Sequence, residues 1–344
     1  MRRRDFLGGA VALALRRDRL DAAIALIEKA TSDGRVAAAS LHVRQGSYEL
    51  SRAFGRAPGP LTPFLLASIT KPMTATAVMI LRDRNALALS DPIRKFIPEF
   101  TGADRDSITI QHLLTHTSGL PDMLPQNDAL RKRHAPLKDF VAITCKTPLL
   151  FKPGTQVKYQ SMGLLLAGEI VERVTKTALR DFLRKEVFQP LGMTQTSLGL
   201  GGRPISSTAL CQVSGDEDWN WNSPYWRDLG APWGGAHASA ADVGRFLRAF
   251  LRPPSSILKP ETAAAMIVNQ NDGLDQSWGL GWQVKPGGFG KACSPETFGH
   301  GGSTGTTAWA DPKKDLTFVL LTTRPAAEDK EYLLRSVSDL ISES

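Results

Sequence analysis

Ser68 and Lys71 stand three residues apart at the start of a predicted helix, and together they could supply a nucleophile and its base. Residues three apart lie on one face of a helix, so the lysine amine can reach the serine hydroxyl. A serine is a weak nucleophile until a base takes its proton. Lysine can do this only if burial or nearby positive charge lowers its pKa from about 10.4. The pair therefore predicts a serine nucleophile with a lysine base, on condition that the rest of the chain supplies the other groups that such a site needs.

The helix that must position this pair is predicted to begin close to Ser68, because Pro72 follows Lys71. Proline has no N–H and crowds the carbonyl four residues earlier, so it belongs in the first turn of a helix. The helix N-terminus also adds positive potential at the lysine. A second Ser-x-x-Lys, Ser256 to Lys259, stands between prolines and is interpreted as a loop coincidence.

Tyr159 lies in a loop, residues 153–161, just before another predicted helix. A phenol beside a lysine ammonium would have its pKa lowered, and it could then take the serine proton and later return it. Packing with a satisfied hydroxyl is the alternative interpretation of a loop tyrosine. This motif predicts a catalytic tyrosine only in combination with the Ser68–Lys71 pair and with the glycine-rich motif that follows.

The third motif is glycine-rich, Thr297 to Gly305, and it is predicted to form the edge of a strand. Glycines let a strand edge approach a substrate closely. A backbone N–H of this edge could join that of Ser68 in an oxyanion hole, where losing one donor typically costs about 2.7–4 kcal/mol of barrier lowering.

Ser68-Ile69-Thr70-Lys71, Tyr159-Gln160-Ser161 and His300-Gly301-Gly302 occur in the order and rough spacing of one family. In this respect the chain resembles the class C β-lactamase family, which includes penicillin-binding proteins, D-alanyl-D-alanine carboxypeptidases and related esterases. The resemblance covers roughly residues 20–325. It extends to flanking segments at residues 112–120, 151–154, 190–193, 240–242 and 279–282.

The resemblance implies that Ser68 is acylated and that Lys71 and Tyr159 share the work of the general base. Tyr159 would also protonate the leaving group, and the N–H groups of Ser68 and Ser303 would form the oxyanion hole. Ser161, His300, Gly302 and Ser303 would line the substrate and oxyanion site. The implied reaction runs through an acyl-enzyme without a metal or an organic cofactor.

The chain departs from the β-lactamase pattern at Ser161, where asparagine is usual, and at His300, where lysine is usual. The lysine would help to bind a substrate carboxylate, whereas a neutral histidine offers a hydrogen bond without a fixed charge. We therefore expect a carboxylesterase-like hydrolase acting on a small ester, amide or short peptide. β-Lactamase or D-alanyl-D-alanine carboxypeptidase activity, a transacylase, and a non-catalytic binding or sensing module are the alternatives.

Hydrophobic patterning predicts strands near both ends of the chain and helices between them. This pattern indicates an α/β (α+β) fold with a mostly antiparallel sheet built from both termini and an inserted helical domain. The resemblance implies the same fold, with the site between the two parts. The predicted domains are residues 18–89 with 266–344 for the sheet and 90–265 for the helices. The predicted strands are Val36–Gln45, Ser47–Phe54, Gly279–Val284, Thr306–Asp311 and Leu316–Thr323.

Composition is that of an ordinary globular protein, with 344 residues, 42% hydrophobic and 22% charged. The net charge of +8 is partly local, because six arginines against two aspartates give residues 1–20 a net of +4. Arg131 to Arg133 is interpreted as a solvated helix face, since no nucleic-acid motif accompanies it. Arg3 to Leu7 resembles a twin-arginine export signal, and periplasmic and cytoplasmic locations both stay open. No apolar run is long enough for a membrane-spanning helix.

Four further patterns have rival interpretations. Gly301 to Gly305 matches the nucleophile elbow of α/β-hydrolases, but that motif needs a helix after its serine, and residues 306–310 are strand-like. His112 and His116 have a metal-ligand spacing without an evident third ligand, so helix-terminal structural roles are favoured. The tryptophans of residues 219–233 could line an acyl pocket or pack in the core. The cysteines, predicted to be free unless the protein is exported, are Cys145, Cys211 and Cys293.

Overall fold

The computed structural model describes residues 15–215, 217–251, 256–285, 287–329 and 333–344. The α-helices are α1 Arg17–Ser32, α2 Thr70–Asp83, α3 Ile110–Leu114, α4 Asn127–Lys132, α5 Leu137–Thr144, α6 Met162–Thr175, α7 Leu179–Leu183, α8 Pro224–Leu229, α9 Ala240–Leu251, α10 Pro260–Met266, α11 Ala326–Asp329 and α12 Arg335–Ser342. The strands are β1 Ala38–Gln45, β2 Tyr48–Gly55, β3 Phe64–Leu65, β4 Ser197–Leu198, β5 Ala236–Ala238, β6 Phe298–Gly302, β7 Thr306–Asp311 and β8 Leu316–Thr322.

The larger sheet joins the two ends of the chain in the order β2-β1-β8-β7-β6, and every neighbouring pair is antiparallel. Strand β1 pairs with β8 in a register that sets Leu41 opposite Leu320. Strands β3, β5 and β4 form a smaller sheet near the start of α2. Helices flank this mostly antiparallel sheet, which confirms the predicted fold class.

Strand β8 shows why the sheet is buried on both faces. Phe318 and Leu320 point into a core shared with α1 and α12, whereas Val319 and Leu321 point into the core shared with α9 and the helical middle. Successive side chains of a strand face opposite sides, so a continuously apolar strand needs a cover on each face. The helices therefore fix the position of the sheet edge that carries the glycine-rich motif.

Helix α2 runs through the centre of the molecule, and every residue from Thr70 to Leu81 is buried. A helix that is buried all round must be enclosed by other elements, and here α6 packs along it. The sequence pattern predicts helices over Met162–Thr175 and Ala240–Leu251, and α6 and α9 confirm both sets of bounds. This central packing holds both the Ser68 and the Tyr159 ends of the site.

The predicted strand Gly279–Val284 is wrong. Residues 278–283 form a tight turn instead of a strand. The β-type pairing in this segment consists of two isolated bridges, from Gln283 to Trp278 and from Gln283 to Gly299. Gly281 has a φ of +83° at this turn, and a Cβ there would lie 2.4 Å from the Cβ of Ala75 on α2. The segment is apolar because the turn is buried against α2, and hydrophobicity alone does not separate such a turn from a strand.

Some predictions concern residues outside the described ranges. The segment Arg3 to Leu7 lies before the first described residue, so export stays a prediction. The division into a sheet domain and a helical domain likewise stays a prediction. The sequence pattern also predicts a closing helix over Glu328–Ile341, a span that corresponds to α11 and α12, and residues 330–332 between them lie outside the described part. No helix among the described residues is both long and apolar enough to cross a membrane.

Candidate active site

Ser68 sits in a short 3₁₀ turn, Ala67–Ile69, between strand β3 and helix α2. The helix therefore begins where Pro72 predicted it. Ala67 has a φ of +48°, a left-handed conformation that is rare for a residue with a Cβ. Thr70 Oγ1 donates to the Ala67 carbonyl at 2.7 Å and accepts from the Ala236 N–H at 3.0 Å. These bonds hold the strained turn that presents Ser68.

Lys71 Nζ lies 3.0 Å from Ser68 Oγ and 3.0 Å from the Trp233 carbonyl oxygen. Its side chain is fully buried. Burial lowers the pKa of Lys71 to about 7, against an opposing contribution from the charge of Asp122. A large fraction of the amine is therefore neutral near pH 7, with its lone pair available to the serine proton.

Tyr159 completes the cluster around Ser68, and Lys71 Nζ lies over its ring, 4.7 Å from the centroid. Burial raises the pKa of Tyr159, and a hydrogen bond with Ser68 offsets this rise only in part. The expectation of a lowered phenol pKa is therefore wrong. Desolvation of the phenolate outweighs the hydrogen bond with Ser68, and the negative charge of Asp122 adds to the rise in pKa. The phenol is protonated at neutral pH and suits proton donation.

The loop that carries Tyr159 is fixed by the next residue, Gln160. Its side-chain oxygen accepts from Ser118 Oγ, and its Nε2 donates to the His112 carbonyl at 3.1 Å. Its backbone N–H donates to His116 Nδ1 at 3.2 Å, so the hydrogen of that neutral ring lies on Nε2. The His116 ring packs on Tyr159 with centroids 4.8 Å apart.

Ser161, two residues after Tyr159, is buried, and its hydroxyl donates to Asp122 Oδ1 at 2.6 Å. The Ser161 N–H also donates to the Asp122 carbonyl at 3.2 Å. This pair places a carboxylate at the cavity wall beside Lys71 and Tyr159. The negative charge opposes the effect of burial on Lys71.

The glycine-rich edge is tied directly to the segment before Ser68. Thr304 Oγ1 donates to the Leu65 carbonyl at 2.7 Å, and Thr306 Oγ1 donates to the Leu66 carbonyl at 2.9 Å. At Gly302 a Cβ would lie 2.3 Å from the Leu66 oxygen, so only glycine allows this approach. Ser303 follows in the turn and lies on the same cavity walls as Ser68.

His300 is buried on strand β6, and its Nδ1 lies 2.7 Å from the Gly301 carbonyl. Nδ1 must carry the hydrogen for this bond, which leaves Nε2 as an acceptor without a partner in the described part of the chain. Burial, followed by the charge of Lys71, lowers the pKa of His300 to about 3. The ring is therefore neutral at physiological pH and puts no fixed charge here.

Two cavities meet at the cluster, and both are lined by Ser68, Tyr159 and Ser303. The larger, about 470 Å³, extends along β6 past Trp278 and His300. The smaller, about 350 Å³, extends under the helical part of the chain. Its other walls include Asp122, Met123, Arg131, Trp221, Trp226 and Trp233. A substrate bond at Ser68 could thus place one group in each cavity.

A family model described as Beta-lactamase matches residues 23–340. The chain belongs to the beta-lactamase family. This family comprises serine hydrolases, with esterase and carboxypeptidase relatives. The match covers all three motifs and confirms the resemblance drawn from the sequence.

Individual relatives of this beta-lactamase family chain are distant. "Protein flp" of Staphylococcus aureus (strain N315) is 31% identical over 183 residues, 50% of this chain and 37% of flp. The chain thus spans little more than a third of that relative's length. The "Putative D-alanyl-D-alanine carboxypeptidase" of Escherichia coli (strain K12) is 28% identical over 305 residues, 77% of this chain and 69% of that protein.

Among solved structures, the chain is similar to that of "EstCE1, a hydrolase with promiscuous acyltransferase activity". The TM-score is 0.79 at 21% identity, with 95% of this chain and 99% of that chain covered. Identity at this level shows the shared fold alone.

The rival motifs have structural roles in this beta-lactamase family fold. Ser303 lies in a turn followed by strand β7, so the nucleophile-elbow interpretation is wrong. Ser256 lies in a loop ahead of α10, as predicted, and donates to the Pro190 carbonyl at 3.3 Å. His112 Nδ1 accepts from the Thr109 N–H in a capping box, the helix-terminal role predicted for it.

The described residues contain no cluster of three or more metal-ligating side chains. Cys145, Cys211 and Cys293 are free.

The sequence missed several wall residues. Trp278 packs edge-on against His116 with centroids 4.3 Å apart, and both rings shield Tyr159. The tryptophans at positions 226 and 233 pack in the core, as one interpretation of that segment had it, and they also line the smaller cavity; that this cavity holds an acyl group stays a prediction. Arg131 is half-buried and lines that cavity, whereas Lys132 and Arg133 of the same basic run are exposed, as predicted. Motif spacing cannot reveal such residues, because they come from separate elements.

Proposed function

We propose that this beta-lactamase family chain is a carboxylesterase-like serine hydrolase that forms an acyl-enzyme on Ser68. One observation carries the proposal. A fully buried Lys71 with a pKa of about 7 lies 3.0 Å from Ser68 Oγ, while a protonated Tyr159 bonds to the same hydroxyl. A base and an acid with separated pKa values at one nucleophile are the arrangement that acyl transfer needs.

In the proposed acylation, neutral Lys71 accepts the Ser68 proton as Oγ attacks the substrate carbonyl. The N–H groups of Ser68 and Ser303 stabilise the resulting oxyanion. Tyr159 donates its proton to the leaving alkoxide as the ester bond breaks, and Lys71 returns a proton to the phenolate. Water then attacks the acyl-enzyme by the reverse proton transfers, and Ser68 is regenerated with the acid as product.

Two features support esters over substrates that carry a carboxylate close to the scissile bond. His300 is neutral where a lysine would bind a carboxylate by charge, and its Nε2, which has no partner among the described residues, is available to accept a hydrogen bond from a substrate. Ser161 offers its hydroxyl to Asp122, so it is not free to act as the asparagine amide of the lactamases would. Both departures remove groups that would recognise a lactam or a D-alanine terminus.

Acyl transfer to an alcohol is a second candidate, favoured by the acyltransferase activity of EstCE1 and by the second cavity at Ser68. An alcohol bound beside the acyl-enzyme would replace water in the second half of the reaction. Added alcohol would then give a new ester at the expense of the free acid.

The test is a substrate panel of short-chain nitrophenyl esters, a chromogenic cephalosporin and D-alanine-terminal peptides. We expect ester hydrolysis, weak or absent lactam turnover, and fluorophosphonate labelling of the wild type. Ser68→Ala should lose both hydrolysis and labelling. Ser256→Ala, in the second Ser-x-x-Lys, is the matched control and should keep both. Folded wild type without labelling would favour the non-catalytic alternative, and fast lactam turnover without esterase activity would favour a β-lactamase.

A further inference from the structure

Arg131 projects from α4 into the smaller cavity, although its neighbours Lys132 and Arg133 are exposed. Its guanidinium carbon lies 4.0 Å from the centre of the Trp226 ring and 5.0 Å from that of Trp219. Its Nε and Nη2 donate to the Trp219 carbonyl at 3.2 Å and 2.7 Å. The charged group is thus held in one orientation on a wall of the cavity that contains Ser68.

The charge of Arg131 has no carboxylate partner in the described part of the chain. Arg133, two residues later, forms a 2.9 Å ion pair with Asp139, whereas no described Asp or Glu oxygen is paired with Arg131. No described acceptor bonds to its Nη1 either. Taking a guanidinium partly out of water costs free energy, and the charge of Asp128 on the same helix together with the two indole faces offsets this cost only in part. An arrangement of this kind is suited to an anion that arrives with a ligand.

The other charged group on this cavity is Asp122, one oxygen of which already accepts from Ser161. Its negative charge disfavours an anion close to Tyr159 and Lys71. Arg131, on a different element, is therefore the site where an anion is favoured. A ligand that fits must place its anion away from the scissile bond and its apolar part against the tryptophans.

We propose that Arg131 is a specificity residue that binds a carboxylate on the part of the substrate that occupies the smaller cavity. This inference rests on the proposed function, since it takes the substrate to be an ester cleaved at Ser68. The favoured substrates are then monoesters that carry a second, ionised carboxyl group separated from the ester by a short apolar chain. Guanidinium binds such a group through two parallel N–H bonds or a single charged one.

Binding to the full-length Ser68→Ala variant, measured by calorimetry, tests this without turnover. The probes are monomethyl adipate, with its anion on the acyl side, the acetate ester of 6-hydroxyhexanoate, with its anion on the alcohol side, and neutral methyl hexanoate. We expect one of the anionic probes to bind at least about tenfold more tightly than the neutral one. Adding Arg131→Gln to this variant should weaken the binding of that anionic probe by about 10–100-fold, the range for a hydrogen bond to a charged group.

Two matched variants separate the loss of anion binding by Arg131 from a general effect of substitution on the fold. Arg133→Gln, which removes an exposed arginine of the same segment, should leave all three affinities unchanged. Arg131→Lys should keep part of the preference, because it keeps the charge and loses the planar fork. Equal affinity of the anionic and neutral probes for the Ser68→Ala protein would overturn the proposal, whether or not the arginine variants fold. So would an Arg131→Gln variant that loses affinity for all probes alike.

The outcomes also separate this inference from the hydrolase proposal. Anion-selective binding in a protein that cleaves no ester would refute the hydrolase and leave the arginine site standing. Ser68-dependent hydrolysis of neutral esters without any preference for an anion would do the opposite.

Discussion

The Nζ of Lys71 lies over the ring face of Tyr159, 4.7 Å from its centroid, and both side chains bond to Ser68. Burial acts on the two in opposite directions. It lowers the pKa of the lysine to about 7 and raises that of the tyrosine. In both cases the neutral form is favoured, because each charged form would be desolvated. The pair therefore offers a free amine and a protonated phenol under one set of conditions.

The first prediction concerns the pH dependence of acylation. Lys71 must be neutral to accept the Ser68 proton, so kcat/KM for a non-ionisable ester should rise with pH to a plateau, with a midpoint of about 7. Two units below the midpoint the rate should be about a hundredfold lower. His300, with a pKa of about 3, cannot produce this limb. Stopped-flow release of nitrophenol between pH 5 and 9 measures it.

The charge of Asp122 raises the Lys71 pKa, so Asp122→Asn should move the midpoint to lower pH. Asp128→Asn, an exposed change on α4, is the control and should leave it in place. An unchanged midpoint in Asp122→Asn, or a rate independent of pH in the wild type, would argue against Lys71 as the base.

The second prediction concerns stability. The pKa of Lys71 is about 10.5 in the unfolded chain and about 7 in the fold, so folding is penalised at low pH and relieved as pH rises from about 7 towards 10.5. Lys71→Met removes the penalty at similar volume, although it leaves the Trp233 carbonyl without its donor. Its melting temperature relative to wild type should therefore be higher at pH 6 than at pH 9.5.

Comparing the two proteins at both pH values cancels the constant cost of the lost hydrogen bonds. Lys132→Met, at an exposed lysine, is the control and should show a much smaller change with pH. A difference in melting temperature that stays constant from pH 6 to 9.5 would mean that Lys71 is not desolvated in the fold.

The third prediction tests Tyr159 as the acid for the leaving group. Tyr159→Phe should slow cleavage of alkyl esters by about 10²–10⁴-fold, the usual contribution of a positioned proton donor. Nitrophenyl esters should be affected much less, because nitrophenolate leaves without protonation. Rates for an ethyl and a nitrophenyl ester of the same acid, in wild type and variant, give the comparison. Equal losses on both would assign Tyr159 to activation of Ser68 alone.

The three motifs were predictable because their chemistry dictates residue types and their helix and loop contexts are local. Pro72 marks the start of α2 directly, and the apolar patterns of β7 and β8 mark the sheet. The fold class followed from the order of these elements. The roles of the motif residues in catalysis remain proposals that rest on the contacts around Ser68.

Features of the site that depend on burial, or on packing between distant parts of the chain, could not be predicted from the sequence. Neighbouring charge suggested a lowered phenol pKa for Tyr159, but the desolvation that reverses the sign exists only in the assembled fold. Trp278 reaches the site through the turn at Gly281, whose apolar pattern predicts a strand instead. Arg131 belongs to a basic run that the sequence places on a solvated face, because the two tryptophans that pack on it, Trp219 and Trp226 of α8, come from much later in the chain.

The last prediction tests how the glycine-rich edge reaches Ser68. In Gly302→Ala the new Cβ would lie 2.2 Å from Thr306 Oγ1 and 2.3 Å from the Leu66 oxygen, so the edge must move away from the nucleophile segment. If this edge supplies the second oxyanion donor, kcat should fall by about 10²–10³-fold. Steady-state kinetics with a nitrophenyl ester measure the fall.

Gly301→Ala is the matched control, because a Cβ there would meet nothing closer than the Thr306 carbonyl oxygen at 3.7 Å. It changes the same strand by the same methyl group without forcing the edge apart, and it should keep near-wild-type activity. Circular dichroism and melting temperature establish that both variants fold. A folded Gly302→Ala with full activity would show that this close approach is not needed for catalysis, and the oxyanion donor would have to be sought elsewhere on the cavity wall.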